Sequence, residues 1–371
     1  MNYAATQPMY RPTRRALHID WPLLGLLLLL ISIGLFVLYS ASNENTHMLM
    51  RQGMRLTLAL SIMLVLSFVP PHTYKRWSPG LYLFGLLLLF AVMAMGKIGK
   101  GAQRWLDLGF FRFQPSEIMK LAVPMMTAWY LDKKTLPLDF KALSVAICII
   151  FIPTLLIAEQ PDLGTAIMVA SGGVFVVFLA GISLRTIGLF TGLLTALMPM
   201  LWYVMHDYQR KRVMTLLNPE NDPLGSGYHI IQSKIAIGSG GAFGKGWLSG
   251  SQSHLNFLPE HATDFIFSVS SEEFGFIGSA GLILLFFFIS LRCIYISKNA
   301  QTNYTRLLAV GLSMSFFLSA FVNIGMVMGI LPVVGVPLPL VSYGGTAMVT
   351  FLAGFGMLMS ISSHRILFNN L

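Results

Sequence analysis

Charge is scarce in this chain. Asp, Glu, Lys and Arg make up 11% of its 371 residues, where an ordinary soluble domain carries roughly 25%. That shortage excludes a water-soluble globular protein. It also excludes a disordered chain, which combines low hydrophobicity with high charge. Cysteine is nearly absent. Cys148 and Cys293 are the only two, both in or beside apolar stretches, so a disulfide scaffold is excluded and a structural disulfide is not expected. The alternation of apolar and polar residues that marks a membrane β-barrel is missing too. Acidic residues are the scarcer charge: 15 against 25 basic ones give a net charge of +10. In a soluble protein that balance would raise the question of nucleic acid. Here the basic residues sit in the gaps between apolar runs, and no nucleic-acid partner is expected.

What the chain has in abundance is apolar length. Hydrophobic residues make up 55% of it, and the mean hydropathy is +0.70. A bilayer-spanning helix needs about 20 mostly apolar residues, and runs such as Leu23–Leu38 are continuous. The pattern predicts an all-α polytopic membrane protein of about ten transmembrane helices. The candidates are 21–41, 54–70, 79–96, 114–131, 142–158, 165–181, 187–205, 264–292, 306–328 and 343–363. Residues 1–20 form a cytoplasmic tail, 21–363 the membrane domain and 364–371 a second tail. Arg11, Arg14 and Arg15 ahead of an apolar run imitate a signal peptide. The run exceeds the usual ~7–15-residue apolar region of such a peptide, so it is read as an uncleaved first helix. The eighth candidate is long enough to protrude or to tilt strongly.

Lys and Arg set the orientation. With the N-terminus inside, that side holds Arg11, Arg14, Arg15, Lys75, Arg76, Lys133, Lys134, Lys141, Arg185, Arg292, Lys298, Arg306 and Arg365, thirteen in all. The short outer loops hold six: Arg51, Arg55, Lys97, Lys100, Arg104 and Arg112. The expected topology is N-in and C-in. Two outer features depart from a plain bundle. One is the basic loop 97–112. The other is the connection 206–263 between the seventh and eighth helices, far longer than the ~12–15 residues beyond which loops are usually functional or disordered. Within it, Ile230, Ile231, Ile235 and Ile237 surround Gln232, Ser233 and Lys234, a pattern that suits a short amphipathic or re-entrant segment.

The few ionisable residues in apolar surroundings are the candidates for chemistry. Asp264 opens the eighth helix beside Phe265, Ile266 and Phe267. Partial desolvation suits a carboxylate to general-base work, and the alternative is a helix-start acid favoured by the dipole. Glu260 lies four residues earlier, and shares a face with Asp264 if the helix begins before it. Adjacent Glu272 and Glu273 cannot share one face, so one faces a polar cavity or a basic partner. Glu117 and Lys120 stand three apart behind Pro115, so they can pair on one helix face. Such a pair is either a neutralised structural element or a lysine aligned by glutamate to hold an anionic substrate. Arg104 and Arg112 lie close by on the same outer side, and pyrophosphate recognition wants such point charges and forks. Glu159 to Gly164 reads as a tight outer turn that brings in Asp162, as a cap or a substrate contact. The run Gly238–Gly246 is not a P-loop, because the spacing fails and no Ser or Thr follows Lys245; it is read as a flexible loop over a site. His206, His229, His254 and His261 fit no zinc spacing. Pro332, Pro337 and Pro339 lead rigidly into Leu340–Gly345.

Three strings carry a resemblance. They are Lys100–Gly109 continuing through Arg112–Glu117, the Asp264 segment with Glu272-Glu273-Phe274-Gly275, and Pro339–Gly345. In this order and over essentially the whole chain they resemble the SEDS family of peptidoglycan polymerases, and within it the elongation branch (RodA) more than the septal branch (FtsW). The resemblance implies a ten-helix membrane glycosyltransferase using lipid II. The acceptor's GlcNAc 4-hydroxyl attacks C1 of the donor's MurNAc, undecaprenyl pyrophosphate leaves, and a β-1,4 glycan grows for cell elongation and rod shape. It implies that Asp264 is the family's essential aspartate. Lys120, Glu117, Arg112, Arg104, Trp105, Glu260, Asp162 and Ser342 form the expected substrate-binding set. No cofactor is required, although acids near a pyrophosphate could hold Mg²⁺ or Mn²⁺. The implied partners are a class B penicillin-binding protein and other elongation-complex proteins, in the bacterial inner membrane. Two alternatives use the same features: a lipid II flippase, and a scaffold of the elongation machinery.

Overall fold

The computed structural model describes residues 18–99, 102–107, 112–134, 138–182, 184–205, 207–222, 225–254 and 260–364. Among the described residues thirteen α-helices follow one another: α1 (Trp21–Ala41), α2 (Thr46–Phe68), α3 (Pro71–Met95), α4 (Pro115–Leu131), α5 (Phe140–Glu159), α6 (Leu163–Leu179), α7 (Leu184–Val204), α8 (Asp207–Leu217), α9 (Ser226–Ser239), α10 (Ser251–His254), α11 (Ile266–Lys298), α12 (Asn303–Val327) and α13 (Thr346–Ser363). Each of the ten apolar runs coincides with one of these helices. Seven helices, α1, α2, α3, α5, α11, α12 and α13, are long and apolar enough to cross a membrane. Of the other three, α4 and α6 have 17 residues each. Polar residues set the helix starts: Asp20, Asn45, Asp139 and Asp162 each accept a first-turn backbone N–H at the head of α1, α2, α5 and α6. Thr302 and Thr305 form a reciprocal cap on α12.

The centre of the bundle is α4, α6 and α12, with α13 buried beside them. Lipid gives no hydrophobic drive for helices to associate, so close backbone approach through small residues takes its place. Gly172 on α6 and Gly311 on α12 meet Pro124 on α4. A Cβ at Gly311 would stand 2.6 Å from Val176 and 2.9 Å from Pro124. The outer surface is apolar, as Leu83, Phe84, Leu87 and Phe90 on α3 illustrate.

One end of the bundle is tied by charge at two points. At the end where α1 begins, Arg292 makes a fork onto Asp20, with Nε and Nη2 donating over 2.9 and 2.8 Å, and Ser362 donates to the same carboxylate. Burial works against the Asp20 carboxylate, yet these bonds and one from the Leu23 amide hold its pKa below the ordinary range. Asp132 likewise accepts from Lys75 and from the Tyr304 amide, joining α3, α4 and α12.

Three findings refine the sequence reading. The basic loop after α3 forms a small antiparallel sheet in the order β1 (Lys97–Gly99), β2 (Ala102–Asp107), β3 (Arg112–Phe113). The connection 206–263 is mostly helical where described, with α8, a short 3₁₀ turn at Pro219–Asn221, α9 and α10. The amphipathic segment expected there is α9, which buries Ile230, Ser233 and Ala236 and packs on α11.

The third refinement concerns α11, which is not one straight helix. Gly275 breaks it, with φ 64° and ψ −160°. The glycine run read as a flexible loop is instead docked in that break. Phe276 and Ile277 amides donate to the Gly241 and Ala242 carbonyls over 2.9 and 3.2 Å. In return the Lys245 and Gly246 amides donate to the Glu272 and Glu273 carbonyls, each over 3.0 Å. Backbone groups freed inside an apolar bundle need such partners. The carboxylates there are engaged too. Glu272, fully buried, accepts from Lys245 Nζ at 2.6 Å, Ser251 Oγ at 3.0 Å and the Gln252 amide. Glu273 accepts from Ser40 of α1. Trp247 closes the outside by stacking on Phe36 with ring centroids 4.2 Å apart.

If the α4–α6–α12 contact organises the bundle, Gly311→Val should lower the thermal unfolding midpoint of the detergent-purified protein. Overpacking of this kind costs about 1–3 kcal/mol. Gly281→Ala, where a Cβ meets nothing within 4 Å, should leave the midpoint near wild type. An unchanged midpoint for Gly311→Val would contradict the packing described.

Candidate functional site

Asp264 stands in a turn, residues 260–265, immediately before α11. The helix begins at Ile266, two residues later than the sequence suggested, because Phe265 rather than Asp264 occupies the cap position. Glu260 therefore shares no helix face with Asp264. It is exposed at the head of the turn, with φ 54°, and accepts the Thr263 hydroxyl at 2.8 Å.

The turn is fixed by its backbone. Asn323 of α12 donates its amide to the Asp264 carbonyl at 2.8 Å and to the Val336 carbonyl at 2.7 Å. The Ser342 hydroxyl donates to the Thr263 carbonyl at 2.5 Å and accepts the Leu338 amide at 2.8 Å. The Tyr343 amide donates to the Ala262 carbonyl. Gly335, with φ 72°, lies against the carboxylate itself: a Cβ there would stand 3.5 Å from Asp264 Oδ2. The proline-rich run 332–345 is thus the wall of the site. Ser342 acts on that wall as a clamp, since its hydroxyl is spent on backbone groups.

The start of α6 packs on the other side of the same wall. Gly164 is obligatory there, because a Cβ would come within 2.6 Å of the Val334 carbonyl. Asp162, the cap of α6, accepts from Gln114 at 3.0 Å, and Arg104 Nε lies 3.6 Å from it. Arg104 Nη2 also donates to the Pro161 carbonyl at 2.5 Å. Asp162 is therefore both a cap and the partner of a cation. Trp105, on β2, is part-buried and faces Lys97 of β1 in the register. The side chain of Arg112, on β3, lies outside the described residues.

Glu117 and Lys120 do pair, at 2.7 Å, and both are buried, 5% and 7% exposed. Glu117 Oε2 has no hydrogen-bond partner. Lys120 Nζ lies 5.8 Å from the centre of the Phe351 ring. It lines a cleft between α4, α12 and α13 whose other walls include Leu312, Phe316, Thr350 and Phe351. The lining of this cleft is apolar apart from Lys120, Ser315 and Thr350.

Sequence reasoning missed Arg55. It stacks over the Tyr343 ring at 4.9 Å while Gln52, one turn before it, donates to the Ser342 carbonyl. The available signal was the pair Arg51 and Arg55 on the outer side, against the positive-inside trend. His229, which the sequence offered only as one of four histidines without zinc spacing, is the other group beside the turn. Its ring lies 5.8 Å from that of Phe265, and burial holds its pKa below the ordinary imidazole value despite Glu260 and Asp222. Among the described residues no group of three or more His, Cys, Asp or Glu could hold a metal ion.

Comparison with known proteins places this arrangement. Residues 20–366 match the family model for the cell cycle proteins FtsW, RodA and SpoVE. The peptidoglycan glycosyltransferase MrdB of Escherichia coli strain K12 is 54% identical over 349 residues, covering 94% of each chain. One chain of a solved peptidoglycan synthase complex, described as coordinating polymerization and crosslinking, superposes with a TM-score of 0.82 at 32% identity, covering 93% of this chain and 97% of that one. The crystal structure of the rod shape determining protein RodA of Thermus thermophilus gives a TM-score of 0.71 at 28% identity, covering 95% of this chain and 98% of that one. The chain is a multi-pass helical membrane protein, and it belongs to the SEDS family of FtsW, RodA and SpoVE.

Proposed function

We propose that this protein is a peptidoglycan glycosyltransferase that polymerises lipid II, of the elongation type. The observation that carries the reading is the Asp264 carboxylate, held in a backbone-clamped turn with Arg104 and Asp162 on the far side of the same wall. Asp264 takes the proton of the acceptor's GlcNAc 4-hydroxyl as that oxygen bonds to C1 of the donor's MurNAc. The C1–O bond to the diphosphate breaks, and undecaprenyl pyrophosphate departs with the electron pair. Lys120 and Arg104 meet the charge that develops on it, while the cleft beside Lys120 receives part of the polyprenyl chain. The family relationship and the 54% identity to a peptidoglycan glycosyltransferase support this reading. The protein works in the bacterial inner membrane with N- and C-termini inside, an orientation supported by the thirteen-to-six distribution of Lys and Arg. A class B penicillin-binding protein is its crosslinking partner, a reading supported by the likeness to a chain of a synthase complex.

Two substitutions test the assignment. Asp264→Asn keeps the bonds that Asn323, Ser342 and Tyr343 make to the main chain of the turn, and removes the proton acceptor. Glycan formation from labelled lipid II should fall by about 10²–10⁴, with thermal stability unchanged. A wild-type rate would remove Asp264 from the chemistry. Lys120→Ala should abolish polymerisation in protein that still inserts in the membrane. Because breaking a buried pair costs about 3–5 kcal/mol, the double substitution Glu117→Gln, Lys120→Met is made alongside it. The double variant should recover stability without recovering activity. Activity in that stable variant would reduce the pair to architecture.

A further inference from the structure

The end of the bundle away from Asp264 brings the first and last described residues together. His18, just ahead of α1, and His364, the cap residue of α13, lie face to face. Their ring centroids are 4.2 Å apart and their planes 7° from parallel. Each ring is also held from its own side. His364 Nδ1 donates to the Ser360 carbonyl at 3.1 Å, which makes its neutral form the Nδ1–H tautomer. His18 Nδ1 lies 3.3 Å from the Ser363 hydroxyl, and Phe68, at the end of α2, meets the His18 ring edge-on at 5.6 Å. Both rings are half-buried. A second link runs beside them, where Asp20 accepts from Ser362 and from the Arg292 fork.

The stack suits rings that carry at most one charge between them, because two imidazolium ions this close repel. Asp20 does not offset a second charge: it is bound to a guanidinium and stays ionised. The other charged or titratable groups at this end are cationic or paired, namely His72 and Arg76, exposed on α3, and Lys75 with Asp132. The side chains of Arg14, Arg15 and Arg365 lie outside the described residues. Burial first, and then the charges of His18 and His72, hold the His364 imidazole below its ordinary pKa, against the bond to Ser360. The unfolded chain therefore takes up this proton at a higher pH than the folded one. The stability that the ring contributes is whole above about pH 6.5 and is lost as the pH falls through the folded value.

We propose that His18 and His364 form a proton-sensitive latch, which closes the start of α1 on the end of α13 while the pair carries at most one charge and opens when both rings are protonated. The latch goes beyond the polymerase reading and does not depend on it. In the N-in, C-in orientation proposed above it faces the cytoplasm. Both helices that it joins reach toward the other end of the bundle. α13 lines the cleft beside Lys120, and α1 brings Ser40 to Glu273 and Phe36 to Trp247. Opening frees one end of each helix and leaves the Asp20–Ser362 link in place.

The purified full chain in detergent is unfolded thermally at pH 8, 6.5 and 5, as wild type, His18→Phe, His364→Phe, the double variant and His47→Gln. Phe keeps an aromatic face for stacking and takes no proton. His47 is exposed near the start of α2, at the opposite end of the bundle. The wild-type midpoint should fall further on acidification than that of His364→Phe, and His47→Gln should follow wild type. The coupling between positions 18 and 364 is read as the non-additivity of the midpoint shifts in the double-mutant cycle. It should be nil or favourable at pH 8 and turn unfavourable at pH 5. A coupling that is the same at both pH values makes the stack a fixed contact and overturns the latch. So does a wild-type pH profile retained in His364→Phe. If a Phe variant is already unstable at pH 8, His18→Gln and His364→Gln replace it in the same cycle, keeping side chains that can hydrogen-bond Ser363 and Ser360. The change of coupling with pH then decides in the same way.

Discussion

A membrane helix that stops hydrogen-bonding to itself must find its partners inside the protein, and the end of the bundle that holds Asp264 is arranged around one such interruption. At Gly275 the α11 backbone leaves the helix, and the segment after α9 enters the gap to pair with it on both sides. The pairing demands glycine where the two backbones touch. A Cβ at Gly240 would overlap the Ser271 carbonyl, and one at Gly244 would overlap that of Glu273. Gly244 also holds φ 80°, which L side chains rarely adopt. The same insertion delivers Lys245 to Glu272, so a carboxylate that would be prohibitive alone is neutralised where it is buried. The short outer piece of α11 is thereby held between α9, α1 and α12, and the Asp264 turn is its continuation.

The site inherits its rigidity from that arrangement. Almost every bond that shapes the Asp264 turn uses a main-chain carbonyl or amide, with Asn323 and Ser342 as the clamping side chains. The main chain on either side of the carboxylate is thus held in place. Charges elsewhere at this end are handled differently. Lys120 is paired at close range with Glu117, and Arg104 shares Asp162 with a helix cap. Such pairs keep cations buried and oriented in the absence of an anion, at a cost that a diphosphate can repay in hydrogen bonds. A glycosyl transfer that starts from an activated lipid needs little more from a protein: a proton acceptor, fixed positive charge for the leaving group, and an apolar path for the chain.

Much of this was legible in the residues. The apolar runs located the helices because a bilayer fixes their length, and Asp162 was read as a cap or a substrate contact. The Glu117–Lys120 spacing gave a pair that does form. The tight turn at Glu159–Gly164 was readable from Pro161, Asp162 and Gly164. What stayed hidden were relations between distant segments. Phe274-Gly275-Phe276 reads as uninterrupted helix, because a lone glycine in an apolar run says nothing about the strand that will dock on it. The run Gly238–Gly246 reads as flexible for the converse reason: glycine permits mobility and close approach alike, and only the partner decides. Arg55 read only as a charge of an outer loop until Tyr343 was brought beside it. The strands β1 to β3 carry too few residues for a periodicity to register.

The docked glycine segment, through the α11 break, fixes the helix start into which the Asp264 turn continues. The most direct test compares glycan polymerisation from lipid II by Gly244→Ala and Gly238→Ala proteins of equal membrane yield. A Cβ at position 238 meets nothing within 4 Å, whereas one at 244 collides with the α11 backbone. Gly238→Ala should polymerise as wild type, and Gly244→Ala should lose most activity while still inserting. Wild-type polymerisation by Gly244→Ala would contradict that link.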